Sequence, residues 1–163
     1  FNFNFYTPTR AFGKETEYRI GKLVKNVNCK KVLLHYGSGS VIRSGLLGRI
    51  KESLDASGVT YVELGGVVPN PRLSLVREGI ELCRKEGVDF LLAVGGGSVI
   101  DTAKAIGFGA LYKGDFWDFF TGAAKIEKTL PVGVVLTISA AGSEGSDSCV
   151  ITQERGNLKW GCP

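Results

Sequence analysis

Residues 90–104 run Phe90-Leu91-Leu92-Ala93-Val94-Gly95-Gly96-Gly97-Ser98-Val99-Ile100-Asp101-Thr102-Ala103-Lys104, an apolar stretch that breaks into three glycines and resumes with helical periodicity. The run 90–94 is short and continuously apolar, which fits a strand covered on both faces. The glycines then call for a tight turn. Ser98 is the natural N-cap of a helix over 98–110, with Asp101 at its third position, where a carboxylate favours the positive helix end. A strand feeding a helix through a glycine turn is half of a strand–helix–strand crossover.

Working outward, the same pattern repeats. Residues 32–36 and 61–64 have strand character, and 41–57 and 73–86 have helical periodicity. Ser57-Gly58 and Glu86-Gly87 place glycine just past each helix end, and Pro69-Asn70-Pro71 punctuates the loop before the second helix. Downstream, 115–120 is an aromatic-rich turn of helix or loop, Pro131 opens a buried strand through 138, 139–145 is a loop of small residues, and a last strand lies around 149–152. Phe1-Asn2-Phe3-Asn4-Phe5 alternates with period two, so an N-terminal strand is expected, pairing within the domain or with an edge in a second copy. The expected fold class is α/β: a Rossmann-like parallel sheet flanked by helices with an N-terminal β extension. Residues 1–163 form one domain.

Composition sets the outer limits. A chain of 163 residues with 44% hydrophobic and 22% charged residues carries one domain with a real core. The net charge of +4 arises from 20 basic and 16 acidic residues with no basic run, so no nucleic-acid partner is expected. Four scattered cysteines without a C-x-x-C pair point to reduced thiols, and no apolar run approaches the roughly 20 residues of a membrane span. The expectation is a cytoplasmic protein without a membrane partner. The sequence contains no methionine.

Two glycine-rich turns, Gly37-Ser38-Gly39-Ser40 and Gly95-Gly96-Gly97-Ser98, each follow a strand and open a helix. In a parallel sheet both fall at the carboxyl ends of strands, where ligands bind. A backbone without Cβ can approach a pyrophosphate closely, and the amides of a helix start then point at the anion. Neither G-x-G-x-x-G nor the triphosphate loop G-x-x-x-x-G-K-[ST] is present, so another phosphate-binding variant is required. Residues 32–51 contain no Asp or Glu to hold a ribose 2′-hydroxyl, while Ser38, Ser40 and Arg43 lie where a 2′-phosphate would sit, which favours NADP(H) over NAD(H).

The run from Gly95 to Lys104, the upstream Asn70-Pro71, the downstream Leu136-Thr137-Ile138-Ser139-Ala140-Ala141-Gly142-Ser143-Glu144, and the start Phe5-Tyr6-Thr7-Pro8-Thr9-Arg10 leading to Phe12-Gly13-Lys14 resemble the iron-containing (group III) alcohol dehydrogenases, in the NADPH-dependent butanol dehydrogenase-like branch. The resemblance spans essentially the whole chain. It implies a dehydroquinate synthase-like nucleotide domain, with the family's helical, metal-binding C-terminal domain absent. It also implies that Gly95 to Ser98 hold the pyrophosphate, Asp101 lies near the nicotinamide carboxamide, Asn70 and Pro71 border the adenosine end, Thr137 and Ser146 hydrogen-bond the cofactor, and Lys159 reaches the nicotinamide ribose. Ala141 and Ser146 depart from the residues that the family often carries there. Each role has a plainer counterpart: Asp101 as a helix-start carboxylate, Thr137 as a strand residue, Lys159 as a surface charge. Phe116, Trp117, Phe119 and Phe120 are expected to pack in the core or an interface, and His35 to be a satisfied core histidine.

Intact relatives bind one divalent metal, iron or zinc, through an aspartate and three histidines, and reduce an aldehyde or oxidise an alcohol by hydride transfer. With one histidine, this chain is expected to hold no metal and no catalytic residue of its own, and to be catalytically incomplete alone. A homodimer is expected, with the N-terminal strand of alternating phenylalanines as its candidate contact. Two other readings stand beside this one: a fragment of a glycerol dehydrogenase or dehydroquinate synthase-like enzyme, and a non-enzymatic nucleotide-binding or dimerisation module.

Overall fold

The structure, a computed structural model, describes residues 11–156 and 158–162. The expected strand at 1–5, and any dimer contact made through it, lie outside the described residues.

A parallel sheet of four strands, β1 (Val32–Gly37), β2 (Tyr61–Val67), β3 (Phe90–Gly95) and β4 (Val132–Leu136), is ordered β2-β1-β3-β4. β3 lies between β1 and β4, and all six of its residues are buried, which explains its unbroken apolar sequence. Alternation along the central strands divides the core into two layers. Leu33, Leu91 and Ala93 face α4 (Leu73–Glu86) and α5 (Gly97–Leu111), while Leu34, Leu92 and Val94 face α1 (Ile20–Lys25) and α3 (Leu46–Ala56).

α4 buries Leu73, Val76, Ile80 and Cys83, a stripe of one helix face. Each fully buried aliphatic side chain contributes about 1.5–3 kcal/mol. α4 and α5 approach closely through two glycines in reciprocal positions. A Cβ on Gly79 would lie 2.3 Å from Ile106 Cδ1, and one on Gly109 would lie 2.4 Å from Ile80 Cδ1. α4 stops at Gly87, whose φ of 65° lets its N–H bond Cys83 O. Arg84, in the last turn of α4, caps the end of α5 instead. Its guanidinium donates to Ala110 O (3.1 Å), Gly109 O (3.0 Å) and Tyr112 O. Arg84→Met is expected to lower stability by about 2 kcal/mol, because it strips charged donors from Ala110 O and Tyr112 O at the helix end, whereas Gly109 O keeps the Tyr112 amide at 3.3 Å. Urea unfolding with an unchanged m-value would confirm a local loss; an unchanged midpoint would show that water replaces the cap.

Two expectations need correction, and the structure adds elements that no sequence pattern announced. The helix expected over 41–57 is two, α2 (Ser40–Arg43) and α3, because Gly45 takes a φ of 72° and turns the chain between them. A 3-10 turn (Thr16–Arg19) and α1 precede β1, too short to show a periodic stripe. β4 ends at Leu136 and is only half-buried, with Ile138 66% exposed, because β4 is the last strand of the described sheet. The strand expected around 149–152 is present and lies outside the parallel sheet. It is β5 (Cys149–Gln153), which forms an antiparallel hairpin with β6 (Leu158–Cys162) and places Cys149 opposite Cys162.

Phe116, Phe119 and Phe120 are core residues, as expected, with α6 (Asp118–Thr121) carrying the last two. Trp117 stacks on Phe120 with ring centroids 4.9 Å apart and reaches Trp160 of the hairpin.

Candidate functional site

β3 delivers Gly95 to the sheet end and α5 begins at Gly97, so Gly96, not Ser98, is the N-cap. The displacement has a simple cause. Gly96 O already accepts the amides of Val99 (3.0 Å) and Ile100 (3.2 Å), so the helix winds directly out of the strand and needs no side-chain cap. Asp101 therefore stands in the second turn rather than at the third position. The amides of Gly97 and Ser98 precede the first amide with an intrahelical acceptor, and they open at the positive end of a 15-residue helix. A Cβ on Gly95 would lie 2.5 Å from Val99 Cγ2, so glycine is required for the strand to pass under the helix start.

The second glycine turn is built differently. The Ser38 amide bonds Val67 O at 3.2 Å and is not available to a ligand. The Arg43 guanidinium folds back over Gly39, where a Cβ would meet Nη1 at 2.6 Å. Both turns line one open cleft of about 430 Å³, together with Arg43, Val67, Val68, Pro69 and Val99. No carboxylate is among the described residues that line it. The cleft thus offers two backbone amides, a helix dipole and one guanidinium in a single concavity, the chemistry of an anion site.

The other expected residues are not among those that line this cleft. Thr137 bonds Gly95 O through its amide at 3.1 Å, which keeps the start of the loop after β4 against the glycine turn at 95–97. Asp101 is engaged at both oxygens: Oδ1 accepts from Ser143 Oγ (2.9 Å) and Oδ2 from the Val150 amide (3.1 Å). Lys104 Nζ donates to Ser146 Oγ (3.1 Å) and Ser148 O (2.9 Å), and burial holds its pKa below the usual lysine value. Lys159 Nζ donates to Asn70 Oδ1 at 3.0 Å, and Asn70 has a φ of 62°. Pro71 O accepts the Thr152 amide at 2.7 Å, which ties the hairpin to the loop before α4. Asn70 and Lys159, expected at opposite ends of a dinucleotide, are thus in contact and face the same region. Lys104 and the 67–69 wall were not among the expected site residues. The i, i+3 spacing of Asp101 and Lys104 on one helix face was the available signal.

His35 is fully buried with Nδ1 2.8 Å from Leu64 O, but its Nε2 has no partner, so it is a core histidine satisfied on one side only. An apolar groove of about 690 Å³ lies along β4 and α1, lined by residues including Ile20, Leu23, Phe90 and Val135, and none of the glycine-turn residues reaches it. Among the described residues no group of three or more His, Cys, Asp or Glu could hold a metal ion, and no helix is long and apolar enough to cross a membrane.

The sequence profile of the iron-containing alcohol dehydrogenases matches residues 8–162. This chain belongs to the iron-containing alcohol dehydrogenase family. Among curated members, it is 46% identical to the probable NADH-dependent butanol dehydrogenase 1 of Bacillus subtilis, over 99% of this chain and 42% of that protein. It is 39% identical to the NADPH-dependent aldehyde reductase YqhD of Escherichia coli, over 94% of this chain and 40% of that protein. The crystal structure of the Thermotoga maritima NADH-dependent butanol dehydrogenase A superposes with a TM-score of 0.93 at 48% identity, covering 99% of this chain and 41% of that one. The chain thus spans about 42% of the length of these alcohol dehydrogenases, in their N-terminal portion.

Proposed function

We propose that this chain is the nucleotide-binding part of an alcohol dehydrogenase or aldehyde reductase that passes hydride between NADPH and an alcohol or aldehyde carbon. The observation that carries the proposal is the shared cleft, where the Gly97 and Ser98 amides and the Arg43 guanidinium face one space. When bound, the nicotinamide ring supplies the hydride; the protein's part is to position it. Gly95 to Ser98 hold the pyrophosphate against the start of α5. Gly37 to Ser40 form the wall for the adenosine ribose, with Arg43 and the Ser38 and Ser40 hydroxyls meeting a 2′-phosphate. Thr137, Ser146, Asn70, Pro71 and Lys159 flank the remainder of the cofactor. With no donor cluster among the described residues, polarisation of the substrate oxygen is not assigned to this part of the molecule.

Both cofactors occur among the relatives by name. The preference for NADPH rests on Arg43 and on a cleft lining without a carboxylate that would repel a 2′-phosphate. Titration calorimetry tests it. NADPH should bind about tenfold more tightly than NADH, a difference of about 1.4 kcal/mol, and Arg43→Ala should erase the difference while leaving NADH affinity within about twofold. Equal affinities in the unaltered protein would remove the 2′-phosphate assignment; no binding of either would remove the nucleotide site.

A further inference from the structure

We propose that Lys104 is a positioning residue: acting with Asp101, it fixes the loop at 143–148 beside the phosphate turn and so sets affinity for the nicotinamide half of the dinucleotide. The inference rests on the nucleotide-binding reading above and adds to it a residue that touches no ligand.

The loop cannot hold its own position. No residue from 137 to 148 is buried, and the segment is rich in small side chains, including Ser139, Ala140, Ala141, Gly142 and Ser143. With no apolar side chain anchored in the core, polar contacts must define its place. α5 provides four of them from two residues one turn apart. Asp101 takes Ser143 Oγ and the Val150 amide, while Lys104 takes Ser146 Oγ and Ser148 O. These contacts run from the loop's 3-10 turn (Ser143–Gly145) to the start of β5. Asp101, Glu144 and Asp147 surround the Lys104 ammonium with negative charge, which favours keeping it in this half-buried place.

The clamp acts on the ligand site because α5 is also the phosphate helix. Ser143 Oγ lies 3.5 Å from the Cβ position of Gly97, and Ile138 Cγ2 lies 3.9 Å from that of Gly96. Strand order places the Gly37–Ser40 wall on one side of the β3 turn and the loop after β4 on the other. A dinucleotide with its pyrophosphate at that turn and its adenosine toward Arg43 must extend its other half over this loop. Asp101, with both oxygens engaged inside the protein, then supports the loop rather than a carboxamide.

The test compares a whole cofactor with a fragment that stops short of the loop. NADPH and 2′,5′-ADP are titrated calorimetrically into the 163-residue chain and its Lys104→Met variant. The expected result is a rise of about tenfold in the Kd for NADPH with the 2′,5′-ADP Kd unchanged within about twofold, and recovery of most of the loss in Lys104→Arg. Faster hydrogen exchange at the Val150 amide, with α5 amides unchanged, accompanies it. Should Lys104→Met fail to fold, Lys104→Gln gives the same contrast. Equal losses for both ligands, or none for either, overturn this proposal alone. If the unaltered chain binds neither ligand, the nucleotide reading falls and this proposal with it.

Discussion

Gly97→Asp is expected to abolish dinucleotide binding, raising the Kd for NADPH at least about 100-fold, or close to 3 kcal/mol, while leaving the fold about as stable as before. The two outcomes separate because Gly97 has room but not neutrality. A Cβ there meets only Ser143 Oγ, at an ordinary 3.5 Å, so a side chain is accommodated without displacing the turn. Gly97 is the first residue of α5, where a carboxylate gains about 0.3–1 kcal/mol from the helix dipole. Repulsion from Asp101, four residues on, offsets about 0.2–0.5 kcal/mol of that. The same carboxylate would occupy the place proposed for the pyrophosphate, compete for the Gly97 and Ser98 amides and repel two phosphate charges. Gly97→Ala is the control: it adds the Cβ without the charge and should weaken binding by no more than about threefold. Thermal unfolding of both variants establishes that each is folded, and calorimetry reads the affinity. An Asp variant that binds NADPH like the unaltered protein would show that the phosphates lie elsewhere.

The fold was legible in the sequence wherever burial was two-sided. β3 is apolar at nearly every position because helices cover both its faces, and its position and the following turn could be read directly from residues 90–97. The hairpin was not legible, because β6 exposes four of its five residues and so carries no apolar signature. The break at Gly45 was hidden as well, since a single glycine inside a helical pattern does not announce whether it will take positive φ.

For the site, the glycine turns were visible as composition but their inequality was not. Ser38 and the Gly97 and Ser98 pair look alike in sequence; only the bulge in the β1–β2 register between His35 and Gly37, which brings Val67 O within reach of the Ser38 amide, separates them. Asp101 and Lys104 were readable as part of a family motif, whereas their attachment to a loop some 42 to 49 residues downstream depends on tertiary packing.

The second large effect is on stability and comes from the one histidine in the sequence. Burial pushes the His35 pKa from 6.5 down to about 4, and its bond to Leu64 O only partly opposes this. With Nδ1 turned to a carbonyl, the neutral ring donates there and leaves the Nε2 lone pair without a partner. A proton added at Nε2 would place an unpaired charge in the core, on the face of β1 shared with Leu33. The sign follows from which state takes the proton first. The unfolded chain protonates near 6.5 and the folded one only near 4, so stability is complete above pH 6.5 and declines as pH falls through that interval, by about 3 kcal/mol in all. Two carboxylates with lowered pKa values act below the upper part of this window. Glu17 and Glu154 have folded pKa values lowered from 4.5, so their contribution is lost only below that pH. Urea unfolding at pH 7.5 and at pH 5 should therefore show a fall of about 2 kcal/mol in the unaltered protein. His35→Gln should be less stable at pH 7.5, since the amide must find new partners in a fully buried place, yet nearly flat between the two pH values. A slope that survives in His35→Gln would assign the pH dependence to other groups, and a flat profile in the unaltered protein would mean that water or a local opening reaches Nε2 in the folded state.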